Sequence, residues 1–176
     1  MRHSLKSLYK IFILIFVLLN SVKQYAQHQS KMEVAVNIDL KTLNIRQDIT
    51  FHNTSNDSLI SIVLNDWNNA FSDKNTPLAK RFSDEFYRGF HLAKPEERGN
   101  TTILNLTDSD NLALEWERTQ KNPDFIVVKL NRKLRPGEKI DLHLTYIAKI
   151  PSAKFTHYGF EQNGGMNLKN WFLSPA

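Results

Sequence analysis

The sequence predicts a mainly β protein, an antiparallel β-sandwich with one helical insert at about 76–92, and three observations predict it. Apolar residues alternate at period two in several stretches, the mark of strands with one buried face. Short polar turns separate these stretches, where an α/β protein would place helices. One segment alone changes to a helical period.

Residues 1–26 are set apart from the fold. Arg2, Lys6 and Lys10 form a basic start, residues 11–19 are an uninterrupted apolar run, and Ala26 before Gln27 is a small residue at a plausible cleavage point. The expectation is an export signal, with residues 27–176 as the exported domain in a periplasmic or extracellular compartment. The apolar run is short for a bilayer span, which takes about 20 residues; retention as an anchor is the other outcome. Four of the 23 basic residues lie in this segment and no acid does, leaving 19 against 18 in the remainder. The basic balance of the whole chain therefore says nothing for nucleic acid as a partner. With no Cys, stability comes from a core and not from disulfides or thiolate-bound zinc.

Met32, Val34, Val36 and Ile38 alternate with Glu33, Asn37 and Asp39 as a first half-buried strand. Leu43, Ile45, Gln47, Ile49 and Phe51 form the inner face of a second, after a turn at Lys41-Thr42. Residues 52–58 are a polar loop, and 59–64 a third strand completing a meander. Thr76-Pro77 starts the helix, Thr as cap and Pro at the first position, with Leu78, Phe82, Phe86 and Phe90 as its apolar stripe. Strand patterns resume at 102–106 and 112–116 around a turn at 108–111. Residues 125–151 read as a hairpin: an apolar strand, an Arg135-Pro136-Gly137-Glu138 reversal with Gly for the positive φ, and a return strand with Ile140, Leu142, Leu144 and Tyr146 inward. Roughly seven strands result, enough for a sandwich.

No complete active site is legible. H-E-x-x-H, the helical His pair that points two imidazoles at one zinc, is absent, as are G-x-S-x-G, G-x-G-x-x-G and the P-loop. His143 lies on the polar face of its strand and reads as a surface residue. Asn53, Asn56, Asn100 and Asn105 begin Asn-x-Ser/Thr triplets.

Two pieces carry a family resemblance. Residues 134–150 (LRPGEKIDLHLTYIAKI) are similar to the Leu-x-Pro-Gly-Glu turn and Tyr-ended strand of the N-terminal domain of zinc metallopeptidases of the aminopeptidase N and leukotriene A hydrolase family. Residues 64–99 resemble an insert of exported bacterial members. The resemblance implies a non-catalytic β-sandwich that flanks a thermolysin-like catalytic domain and walls its cleft. Zinc, its ligands and the water-activating Glu are expected in that other domain, with no cofactor in this chain. It also implies a Gln or Glu near the domain's end that holds the substrate; Glu161 and Gln162 are the candidates here. Implied partners are the catalytic domain of the same parent protein and a peptide substrate, with no nucleic acid and no membrane after signal cleavage. The chain is read as a fragment lacking the catalytic domain, with the apolar stretch 171–173 uncovered. The alternative is a free-standing secreted sandwich that binds a protein or glycan, which expects Trp67 and Trp171 on an exposed face.

Overall fold

Strand β2 (Thr42–His52) and strand β7 (Lys139–Lys149) pair along their whole length, and this pairing is the spine of the first sheet. The computed structural model describes residues 28–119 and 121–176; the expected signal at 1–26 lies outside them. β1 (Gln29–Asn37) flanks β2 and β4 (Asn100–Asp108) flanks β7, giving the antiparallel order β1-β2-β7-β4. The second sheet has the order β10-β3-β6-β5, built from β3 (Leu59–Asn65), β5 (Trp116–Glu117), β6 (Phe125–Leu134) and β10 (Ser174–Pro175). A small hairpin, β8 (Gly159–Phe160) and β9 (Met166–Asn167), stands apart.

The core lies between the two sheets. Leu43, Ile45 and Ile49 of β2 with Leu142, Leu144 and Tyr146 of β7 face Ile62 and Leu64 of β3 and Ile126 and Val128 of β6. These are the faces that the alternation assigns inward, so the β-sandwich expectation holds. The edge strand β1 differs from its expectation. Val34 and Val36 pair opposite Ile45 and Leu43, yet they remain 37% and 50% exposed and lie outside the core cluster.

The strand partners also differ. β2 and β3 belong to different sheets, so no meander forms, and β6 and β7 likewise cross from one sheet to the other and do not pair as a hairpin. The reversal at Gly137 (φ 79) is present, with Glu138 N–H donating to the Arg135 carbonyl at 3.0 Å. It forms an arch instead of a hairpin because both strands carry an apolar face, and stacking those faces buries more surface than laying the strands side by side. Asn53, 1% exposed, closes the corner. Its side chain donates to the carbonyls of Asp57 and Leu134, its N–H to the Glu138 carbonyl, and its own carbonyl accepts from Gly137 N–H. The two arches are thus tied together, and the first Asn of the 53–55 triplet is an internal structural residue.

The insert between β3 and β4 holds helix α1 (Pro77–Asp84), shorter than the expected 76–92. Thr76 caps its start, Oγ1 accepting from Ala79 N–H at 3.2 Å, with Pro77 in the first turn. Its end is set by Phe86, which adopts a left-handed φ of 58° while Tyr87 N–H closes back on the Phe82 carbonyl at 2.7 Å. Phe86 therefore leaves the apolar stripe and is 92% exposed, and Phe90 is buried from a later loop. Phe71, Phe82 and Phe90 join Phe155 and Tyr158 in a second small core; Phe90 and Phe155 meet edge to face at 5.0 Å.

Residues 171–173 are covered, contrary to expectation: Trp171 and Phe172 are half-buried and Leu173 is fully buried. Gln47, 1% exposed, donates to the Leu173 carbonyl at 2.8 Å and accepts from the Tyr146 hydroxyl at 2.6 Å. These bonds hold the segment against β2 and β7, and β10 then pairs with β3.

Candidate functional site

Three features gather at the end of the sandwich where β3 and β7 finish and β4 and β6 begin: a buried polar network, a hairpin and a concave patch. The network begins at Asp66, which directly follows the buried strand end and caps the 3-10 turn Trp67–Phe71. Asp66 is 2% exposed. Its carboxylate accepts from Thr101 Oγ1 at 2.8 Å and pairs with Arg118 Nη2 at 2.5 Å. Burial pushes the Asp66 carboxyl above its ordinary value, against the opposing pull of the Arg118 guanidinium and the hydrogen bond from Thr101.

Asn68 and Asn69 extend the network. Asn68, with no exposed surface, donates to the carbonyls of Asn100 (2.7 Å) and Lys149 (3.1 Å) and accepts from the Tyr158 hydroxyl (2.9 Å). Asn69 donates to the Pro123 carbonyl at 2.7 Å and accepts from Thr101 N–H at 3.1 Å. Burial raises the Tyr158 phenol well above its ordinary value, reinforced by the Asp66 charge, so it stays a hydrogen-bond donor. The Asp-Trp-Asn-Asn run supplies the centre of this hub, which Thr101, Arg118 and Tyr158 complete. Strand and helix periodicity leaves Asp66, Asn68, Asn69 and Arg118 unmarked; three short polar side chains crowded directly after an apolar strand are the signal for the first three.

The β8–β9 hairpin carries Glu161 and Gln162, both exposed, in its turn. Glu161 N–H donates to the Gly165 carbonyl at 2.9 Å. Below the turn the hairpin is locked: Phe160 is buried and exchanges backbone bonds with Pro151 and Ala153, each 2.9 Å. Gly159 (φ 133) makes this possible, because a Cβ there would lie 2.1 Å from the Pro151 carbonyl oxygen. The structure thus holds Glu161 and Gln162 outside both the Asp66 network and the concave patch described next.

That patch, about 420 Å³, is lined by Asn65, Trp67, Asp124, Phe125, Asn170 and Ser174. Trp67 is 38% exposed and packs edge-on against Phe71 at 5.7 Å, so its ring is fixed in place. Trp171 is half-buried against both cores.

His143 is a partly exposed strand residue whose Nδ1 lies 2.7 Å from Asp48 Oδ1. Among the described residues no three His, Cys, Asp or Glu side chains converge to hold a metal, and the residues present offer no donor set through which a zinc step can be derived. Among the described residues, too, no helix is long and apolar enough to cross a membrane.

No family model matches the chain, and no curated protein does. Among solved structures it is similar to the crystal structure of a mutant M1 zinc metallopeptidase from Deinococcus radiodurans, at 16% identity and a TM-score of 0.42, over 69% of this chain and 20% of that one. The chain therefore spans about a fifth of the length of that enzyme.

Proposed function

We propose that this chain is the non-catalytic N-terminal β-sandwich domain of an exported zinc-dependent aminopeptidase or related metallopeptidase, flanking the catalytic cleft. The observation that carries the reading is the bond from Asn68 to the Lys149 carbonyl. The two segments that resemble the family, 64–99 and 134–150, are far apart in sequence, and this part-buried contact ties one to the other. In this reading the sandwich end bearing the insert and the β8–β9 hairpin faces the catalytic domain of the same parent protein. Glu161 and Gln162, exposed in the hairpin turn, reach toward the peptide substrate. Zinc, the water it activates and the general base belong to the catalytic domain.

The exposed ring of Trp67 favours a second reading, a free-standing exported module that binds a protein or glycan. The half-buried Trp171 does not favour it.

Two measurements test the first reading. The parent gene should encode H-E-x-x-H on a predicted helix and a later Glu ligand. The purified chain, supplied with zinc, should leave an aminoacyl-p-nitroanilide intact. A gene without those motifs would assign the chain to the second class, and turnover by the chain alone would overturn the non-catalytic role.

A further inference from the structure

The concave patch beside Trp67 has a composition that selects one kind of ligand. Two aromatic rings, Trp67 and Phe125, form apolar walls, and Asp124 is the charged lining residue; Asn65, Asn170 and Ser174 are neutral. No basic side chain lines the patch, and none of the ion pairs among the described residues involves Asp124. The nearby cation, Arg118, is already engaged with Asp66 and the Pro123 carbonyl. Asn65 directs its amide N–H to the Pro175 carbonyl at 3.3 Å, leaving its Oδ1 as an acceptor.

An anion is disfavoured by Asp124, and a neutral ligand leaves its charge unused. A cation beside aromatic residues can gain from a ring quadrupole and from the carboxylate together. The acceptors offered by Asp124, Asn65 and Ser174 match a group with several N–H donors, and the ring walls match an alkyl stem. We infer that the Trp67–Asp124 patch is a receptor for a primary alkylammonium group of the kind a lysine side chain carries. The inference does not rest on the metallopeptidase reading, and a volume of about 420 Å³ is within the range of ligand pockets.

The test follows indole ¹⁵N–¹H resonances of the exported protein, with Trp67, Trp116 and Trp171 assigned by single Trp→Phe variants. n-Butylammonium chloride should shift the Trp67 resonance saturably and leave the other two in place. n-Butanol, of similar shape without the charge, should not. Asp124→Asn preserves the shape and should weaken binding about tenfold or more, the scale of a charge-assisted hydrogen bond; Trp67→Ala should abolish it. Should Trp67→Ala fail to fold through loss of its packing on Phe71, the Asp124→Asn result decides. An N-acetylated lysine peptide should bind where its acetyl-lysine counterpart does not, which assigns the group to a side chain. The inference is overturned by the absence of a saturable Trp67 shift, by equal effects of butanol, or by unchanged affinity in Asp124→Asn. Equal binding of tetramethylammonium would overturn the primary-ammonium assignment, and indifference to the lysine peptide would overturn the side-chain source.

Discussion

Arg118 and Asp66, 52 positions apart, form an ion pair with side chains 16% and 2% exposed, and it fastens the segment before β6 to the start of the insert. Because burial raises the Asp66 carboxyl above its ordinary 3.8, the folded state holds that proton more tightly than the unfolded chain does. The stability it contributes is fully present below the ordinary value and is lost as pH rises through the raised one. Asp66→Asn, a permanent mimic of the neutral acid, should therefore compare worst with the parent at low pH and progressively better toward neutrality. Denaturant midpoints of both proteins across this range check the sign; a parent that gains on the variant as pH rises would show that Arg118 outweighs burial.

Asn68→Ala should cost about 3 kcal/mol, because it takes a partner at once from two part-buried backbone carbonyls and from the buried Tyr158 hydroxyl. Urea unfolding gives the value. A loss under about 1 kcal/mol would mean that water replaces the amide.

Leu144→Ala should cost about 2 to 5 kcal/mol, since the side chain is 3% exposed in the main core. The neighbouring His143→Ala removes a partly exposed pairing with Asp48 and should cost about 0.5 kcal/mol or less. Equal losses at the two positions would mean that the face assignment of β7 is wrong.

Phe86→Gly should stabilise the protein by about 0.5 to 1 kcal/mol. The residue is 92% exposed and sits at the left-handed helix stop, where a Cβ is penalised and little packing is lost. Thermal unfolding of the pair is sufficient; a lower midpoint in the variant would show that the ring makes a contact of value.

The inward faces of β2 and β7 were legible because alternation reports which side of a strand is buried. Alternation is silent on which strand lies alongside, so β2 with β3 and β6 with β7 read as neighbours when they stack across the core. Length and turn chemistry did not help: Arg135-Pro136-Gly137-Glu138 serves an arch as well as a hairpin. Helix α1 was legible at Thr76-Pro77 and misjudged at its end, because Phe86 kept the apolar spacing while its backbone left the helix. The Asp66 hub was invisible to periodicity, since buried Asn and Asp follow from the carbonyls they must satisfy, and those come from distant strands. The placement of Glu161 and Gln162 came from resemblance alone, and the residues that line the concavity come from four separate stretches of chain.

The tie at Asn53 bears on how the chain reaches this structure. Among the described residues, only β1–β2 and β5–β6 join sequential strands within one main sheet; β2–β3, β3–β4, β4–β5 and β6–β7 all cross the core. Neither sheet can be completed while the other is unformed, because each arch needs both of its legs and Asn53 bonds across two arches. These two local pairings leave most of the strand contacts to distant partners, so loop-closure entropy must be met before most contacts form. The domain should therefore fold slowly and all at once, in the millisecond-to-second range of sandwiches with distant pairings.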